Sequence, residues 1–91
     1  MALKRYYLRV YGLVQGVGFR YYAMRLARSM NISGWVRNLY DGSVEIEAEG
    51  IEEDLEGFVL KISEGPPAAV IEKVVKQEIP PQGAKGFEVR F

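Results

Sequence analysis

The sequence contains no cysteine and no histidine. Their absence removes disulfides, thiol nucleophiles, zinc sites of the Cys/His kind, and Ser-His or Cys-His catalytic pairs. Long apolar runs are also missing. Stretches such as Ala68-Ala69-Val70-Ile71 are far too short to span a bilayer. Lys4, Arg5 and Arg9 fall within an alternating segment, with no apolar core and small-residue cleavage site of a secretory signal. The expected compartment is therefore the cytoplasm, with no membrane partner. Acidic residues are absent from positions 1–40, which carry six arginines and Lys4, whereas positions 41–91 carry all twelve acids against five bases.

What remains is an ordinary globular composition: 91 residues, 48% apolar and 26% charged. That length and balance predict one domain spanning residues 1–91 and argue against disorder. The formal net charge is zero, unlike the basic, high-pI domains that coat nucleic acid, yet an acid-free stretch can build a local site for a small anion. Chemistry is left to Arg, Lys, carboxylates, amides, hydroxyls and backbone.

Periodicity divides the chain. Lys4–Tyr11 alternates, with Tyr6, Leu8 and Val10 on one side and Tyr7, Arg9 and Tyr11 on the other, which predicts a strand. Gly12–Gly18 holds three glycines in seven residues and predicts a loop. From Phe19 the period lengthens: Tyr22, Ala23, Leu26, Ala27 and Met30 share a helical stripe, Arg25 and Arg28 point outward, and the helix stops near Asn31. A short strand over Gly34–Leu39, an Asp41-Gly42 hairpin signal and an alternating strand over Ser43–Glu49 follow. In that strand Glu45, Glu47 and Glu49 are expected to face solvent. Ile51, Leu55, Phe58, Val59 and Ile62 mark a second helix closed by Gly65-Pro66-Pro67. Val70–Glu78 reads as a strand, Pro80-Pro81-Gln82-Gly83 as a break, and Phe87, Val89 and Phe91 as a last short strand.

The order β-α-β-β-α-β is the split βαβ, ferredoxin-like arrangement: an α+β fold with two helices on one face of an antiparallel sheet, plus a short extra C-terminal strand. Strands one and two then run parallel with strand three between them. Their ends lie at one edge of the sheet, about 10 Å apart. One end feeds the glycine loop and the other carries Asn38.

The segment Gln15-Gly16-Val17-Gly18-Phe19-Arg20 thus joins a strand end to a helix start. Unsatisfied N–H groups and the helix dipole favour an anion there, and glycines let successive amides turn inward as a nest. A helical side chain leans toward the N-terminus, so Arg20 can fold back and offer two donors to a phosphoryl group. The segment matches neither dinucleotide nor P-loop signatures: position 21 is tyrosine, and no Gly-Lys-Ser/Thr occurs. Spacing alone leaves a tight turn with an incidental arginine equally open.

Combined motifs narrow the choice. Val10 to Arg20 as a run, Gly34-Trp35-Val36-Arg37-Asn38, Asp41-Gly42-Ser43-Val44-Glu45 and the closing Gly86-Phe87 strand together resemble the acylphosphatase family over essentially the whole chain. The resemblance implies the fold above and metal-independent, cofactor-free hydrolysis of an acyl phosphate to a carboxylate and inorganic phosphate. It implies that Arg20 and Asn38 are catalytic and that Gln15, Gly16, Val17, Gly18, Phe19 and Arg20 hold the substrate phosphate. Phosphate or sulfate would then occupy the same place, in an expected monomer. Leu39 stands where some members carry a hydroxyl residue.

That chemistry suits the missing residue types. The leaving carboxylate has a conjugate acid of pKa about 4 and departs without a general acid. Phosphoryl transfer is mostly positioning and electrostatics, so loop amides and Arg20 would stabilise the equatorial oxygens while Asn38 orients water. Arg20 is asked for about 3–5 kcal/mol. Three other readings compete: a regulatory small-anion domain, an RRM-like nucleic-acid module, and an acylphosphatase-like module fused ahead of a larger carbamoyl-transfer protein. Glu45, Glu47 and Glu49 count against RNA, and the chain's length is expected to mean a free-standing enzyme. Trp35 is expected to pack in the core or at an edge, and Arg37 to point away from the site.

Overall fold

A computed structural model describes residues 2–91. Five strands and two helices follow in the order β1 (Leu3–Leu13), α1 (Phe19–Ser29), β2 (Ser33–Asn38), β3 (Val44–Ile51), α2 (Glu52–Glu64), β4 (Val70–Ile79) and β5 (Phe87–Arg90). They make one sheet in the order β4-β1-β3-β2-β5. Both β1 and β2 pair antiparallel with β3, so they run parallel to each other and finish at the same end of the sheet.

The four strands of the βαββαβ core, β4-β1-β3-β2, pair antiparallel as expected, and the short extra strand takes the other sense. β5 pairs parallel with β2, with Gly34 opposite Phe87 and Arg37 opposite Arg90, which makes the sheet mixed. The cause is the route of the chain. β4 lies at one edge, and the segment after it ends at the opposite edge, where β5 enters in the direction of β2. One carboxylate anchors that crossing: Glu49 accepts hydrogen bonds from the amides of Gln82 (2.6 Å), Gly83 (2.9 Å) and Ala84 (3.1 Å).

Both helices pack on one face. α1 lies against β2 and β5, and α2 against β3, β1 and β4. The stripe on α1 is Phe19, Ala23 and Ala27, four residues apart and buried, with Tyr22, Leu26 and Met30 packed at its margin. Leu55, Phe58 and Ile62 do the same for α2. They meet Leu8, Val10, Val36, Val44 and Ile46 from the sheet, all fully buried. Each such side chain contributes about 1.5–3 kcal/mol relative to exposure. β3 outruns its expected end because Gly50 pairs with Lys4 and Ile51 with Leu3.

The other face departs most from expectation. Glu45 and Glu49 are buried rather than solvated, and Glu47 is half-buried. Cross-strand neighbours explain this. Arg5, only 2% exposed, holds Glu47 at 2.8 Å and Glu49 at 3.2 Å. Glu45 accepts from the Tyr7 hydroxyl (2.7 Å) and from Arg37. Trp35 belongs neither to the core nor to an edge strand: it is half-buried on β2, between β3 and β5, with the guanidinium groups of Arg37 and Arg90 at 5.4 and 4.8 Å from its ring centroid. Burial alone would push the Glu49 pKa up, but hydrogen bonds from the Gln82 amide, Arg5 and the Ala84 and Gly83 amides outweigh it and hold the carboxyl below its ordinary value.

Candidate functional site

The loop between β1 and α1 is pinned by alternate apolar anchors. Val14 and Phe19 are buried and Val17 packs against the core, leaving Gln15, Gly16 and Gly18 to the outer side. Gly16 and Gly18 have φ of 75° and 77°, which L side chains rarely adopt. A Cβ on either would touch nothing within 4 Å, so backbone conformation, not crowding, requires glycine, and the side they face is open.

Gly18 is also the N-cap of α1, and it supplies no side-chain hydrogen bond. The first-turn amides have no acceptor within the helix and no acidic residue beside them. α2 differs: Glu52, Glu53 and Asp54 crowd its first turn and complement its dipole. Only α1 presents an uncompensated positive end, and that end follows the glycine loop.

Arg20 occupies the first turn of α1. Its Nη1 donates to the Arg90 carbonyl at 3.3 Å, and its Cζ lies 4.7 Å from the Phe91 ring centroid. No carboxylate pairs with it among the described residues. The guanidinium keeps most of its donors for a ligand. Sequence reasoning missed this contact, for which the β2–β5 register is the reason: Arg90 stands beside Arg37, one residue from Asn38.

Asn38 ends β2, on the same side of the strand as buried Val36. Its Oδ1 is buried and accepts no hydrogen bond. A buried carbonyl without a donor costs about 1–3 kcal/mol, a cost that folded chains retain at functional positions. Arg37, on the opposite side, holds Glu45 and Trp35, as alternation predicts.

The hairpin after Asn38 joins site to loop. Leu39 N–H donates to the Ser43 carbonyl (2.9 Å) and Gly42 N–H to the Leu39 carbonyl (3.2 Å), closing a three-residue turn. Asp41 Oδ1 accepts from the Ser43 amide (2.9 Å) and hydroxyl (2.5 Å), and Arg9 reaches both Ser43 Oγ (3.1 Å) and Asp41 Oδ2 (2.5 Å). The Ser43 hydroxyl and amide, with Arg9 behind them, hold the Asp41 carboxyl down to about 2. An Asp side chain capping the amide two residues on is the legible signal here, and reading Asp-Gly only as a turn overlooked it.

Gln15 was expected among the phosphate ligands, but its side chain is committed elsewhere. Nε2 donates to the carbonyls of Leu39 (2.7 Å) and Ser43 (2.9 Å), so Gln15 can offer an anion only its main chain. No group of three acidic side chains able to hold a metal ion occurs among the described residues, and no helix there is long and apolar enough to cross a membrane.

Comparison with known proteins points to one family and one fold. The family model described as acylphosphatase matches residues 6–89. An acylphosphatase of Thermotoga maritima is 45% identical over 89 residues, covering 98% of this chain and 99% of its own length. The crystal structure of the Bacillus subtilis acylphosphatase superposes with a TM-score of 0.94 at 37% identity, covering 99% of this chain and all of that one. A Coxiella burnetii acylphosphatase structure superposes at 0.93 with 34% identity, covering 97% and 93% of the two chains.

Proposed function

This chain belongs to the acylphosphatase family and hydrolyses acyl phosphates to a carboxylate and inorganic phosphate, and on that premise we propose which of its groups act. Residues 1–91 work as one acylphosphatase-like unit. The phosphoryl group binds the main-chain amides of Gln15, Gly16, Val17, Gly18 and Phe19 at the uncapped start of α1, and the Arg20 guanidinium closes over two of its oxygens. Asn38 holds the attacking water through Oδ1. The observation that carries the reading is that oxygen: buried, without a hydrogen-bond partner, and carried by the residue before Leu39, whose carbonyl Gln15 ties to the loop.

In the reaction the water oxygen forms a bond to phosphorus as the bond from phosphorus to the acyl oxygen breaks. The electron pair leaves with the carboxylate, and a water proton passes to a phosphate oxygen. No side chain needs to titrate, because the leaving acid has a pKa of about 4. Loop amides and Arg20 stabilise charge on the three equatorial oxygens, and the amide at position 38 orients the nucleophile without acting as a base. The Arg90 carbonyl holds Arg20 at one donor and leaves the others free, which reduces what must be ordered on binding.

We infer a monomer, in which inorganic phosphate or sulfate competes with substrate. Its compartment is the cytoplasm, where a phosphorylated acid, charged and excluded by the bilayer, is retained. The test is phosphate release from benzoyl phosphate with EDTA present. Wild type is expected to turn over unaffected by chelator. Arg20→Ala and Asn38→Ala are expected to fall about 10²–10³-fold in kcat/KM while remaining folded by circular dichroism. Full activity in either variant overturns the assignment.

A further inference from the structure

We propose that Gln15 is a positioning residue that sets the distance between the phosphate loop and Asn38, a role that rests on the function proposed above for that site. Three observations carry it. First, the side chain leaves the loop and donates both amide hydrogens to carbonyls of the opposite hairpin, at 2.7 Å to Leu39 and 2.9 Å to Ser43. Two carbonyl acceptors can be met only by the NH2 group, so the amide orientation is unambiguous.

Second, these two carbonyls are the turning points of the hairpin. The Ser43 carbonyl also accepts the Leu39 amide, and the Leu39 carbonyl also accepts the Gly42 amide. Gln15 therefore fastens to atoms that define the turn, next to Asn38 in the chain. Third, no hydrogen bond among the described residues holds the Asn38 side-chain oxygen, whose capacity is unspent. Its position follows from the backbone at residues 38 and 39.

The two halves of the site come from elements that are not neighbours in the sheet: β1 leads to the loop, β2 to Asn38, and β3 lies between. Water held by Asn38 must reach phosphorus held by the loop along one line, and misplacement by about 1 Å can cost 10²-fold in rate. A direct strut across that gap is the simplest means to fix the line. Arg9, Asp41 and Ser43 stiffen the far side of the same turn, so the strut bears on a rigid element.

The proposal separates binding from turnover. Phosphate affinity depends on loop amides and Arg20, whereas turnover also needs the alignment of Asn38. Benzoyl phosphate hydrolysis and inhibition by inorganic phosphate are measured for wild type, Gln15→Ala, Asn38→Ala and the double variant, below each thermal midpoint. Gln15→Ala is expected to lower kcat about 10–100-fold and leave the phosphate inhibition constant within about twofold. On the Asn38→Ala background the same substitution is expected to change kcat by no more than about twofold, because Gln15 acts through Asn38.

Equal losses in kcat and phosphate affinity would make Gln15 part of the cradle, and multiplicative losses in the double variant would make it independent of Asn38. Either result overturns the strut. Should Asn38→Ala itself retain wild-type turnover, the role given to Asn38 fails first and the strut with it, a pattern distinct from both.

Discussion

Arg5 and Arg20 are the same side chain in opposite circumstances. Arg5 is buried on the open face of the sheet and held between two carboxylates. Arg20, at the mouth of the glycine loop, meets only a carbonyl at 3.3 Å and an aromatic ring. The same contrast runs through their surroundings. Near Arg5, Glu49 is surrounded by donors. Near the loop, a helix start is uncapped and a carboxamide oxygen is buried alone. Polar groups that satisfy one another hold the fold, and groups left wanting are available to a substrate.

The largest expected effect breaks the comparison on its structural side. Arg5→Ala leaves Glu47 and Glu49 partly or wholly buried without their cation, at a cost of about 3–5 kcal/mol. In a domain of this size that lowers the melting midpoint by at least about 12 °C. Arg20→Ala is expected to cost about 1 kcal/mol or less, since it removes one exposed cation–π contact and one long hydrogen bond. Scanning calorimetry on the two variants decides; equal midpoints would dissolve the distinction.

A smaller effect crosses between the regions. Glu49→Gln weakens the anchor of the 80–86 segment, which places β5 and hence the Arg90 carbonyl beside Arg20. The expected loss is about 1.5–3 kcal/mol of stability, accompanied by a several-fold fall in kcat for benzoyl phosphate. The wild-type carboxyl sits below its ordinary value of 4.5, so its contribution is present above that pH and is lost as pH falls toward the folded-state value. Glu49→Gln should flatten that part of the acid-unfolding curve, and an unchanged curve would free Glu49 of this role.

Asn38→Ala sharpens the other side. It removes an unsatisfied buried acceptor, so the midpoint is expected not to fall even as turnover collapses. A clear loss of stability would mean that Asn38 is structurally satisfied after all. Least conspicuous is Asp41→Asn. Asp41 titrates at about 2 in the fold against 3.8 ordinarily, so its contribution is complete above pH 3.8 and fades as pH falls through about 2. The variant should lose that part of the stability-versus-pH profile, read by fluorescence of Trp35.

How much of this was legible in the chain follows from range. Strand and helix positions came from periodicity, which neighbouring residues carry. The expected Arg20 and Asn38 stand out as residues just after a glycine loop and at a strand end, in recognisable runs. The fates of Glu45 and Glu49 were not legible, because alternation reports which side of a strand a residue faces and not what crosses over that side. Neither was the parallel entry of β5. It depends on a segment whose amides find a carboxylate some thirty residues earlier in the chain.

By itself the sequence determined the element order, the apolar stripes, the glycine loop ahead of α1 and the residue types available for chemistry, all of them properties of short windows. Only the tertiary structure decided that Gln15 reaches the hairpin rather than the loop opening, that Arg90 steadies Arg20, and that the glutamates of β3 are buried. Those outcomes depend on hydrogen-bond partners brought together by strand pairing across the sheet, and a buried donor or acceptor takes whichever partner the fold delivers.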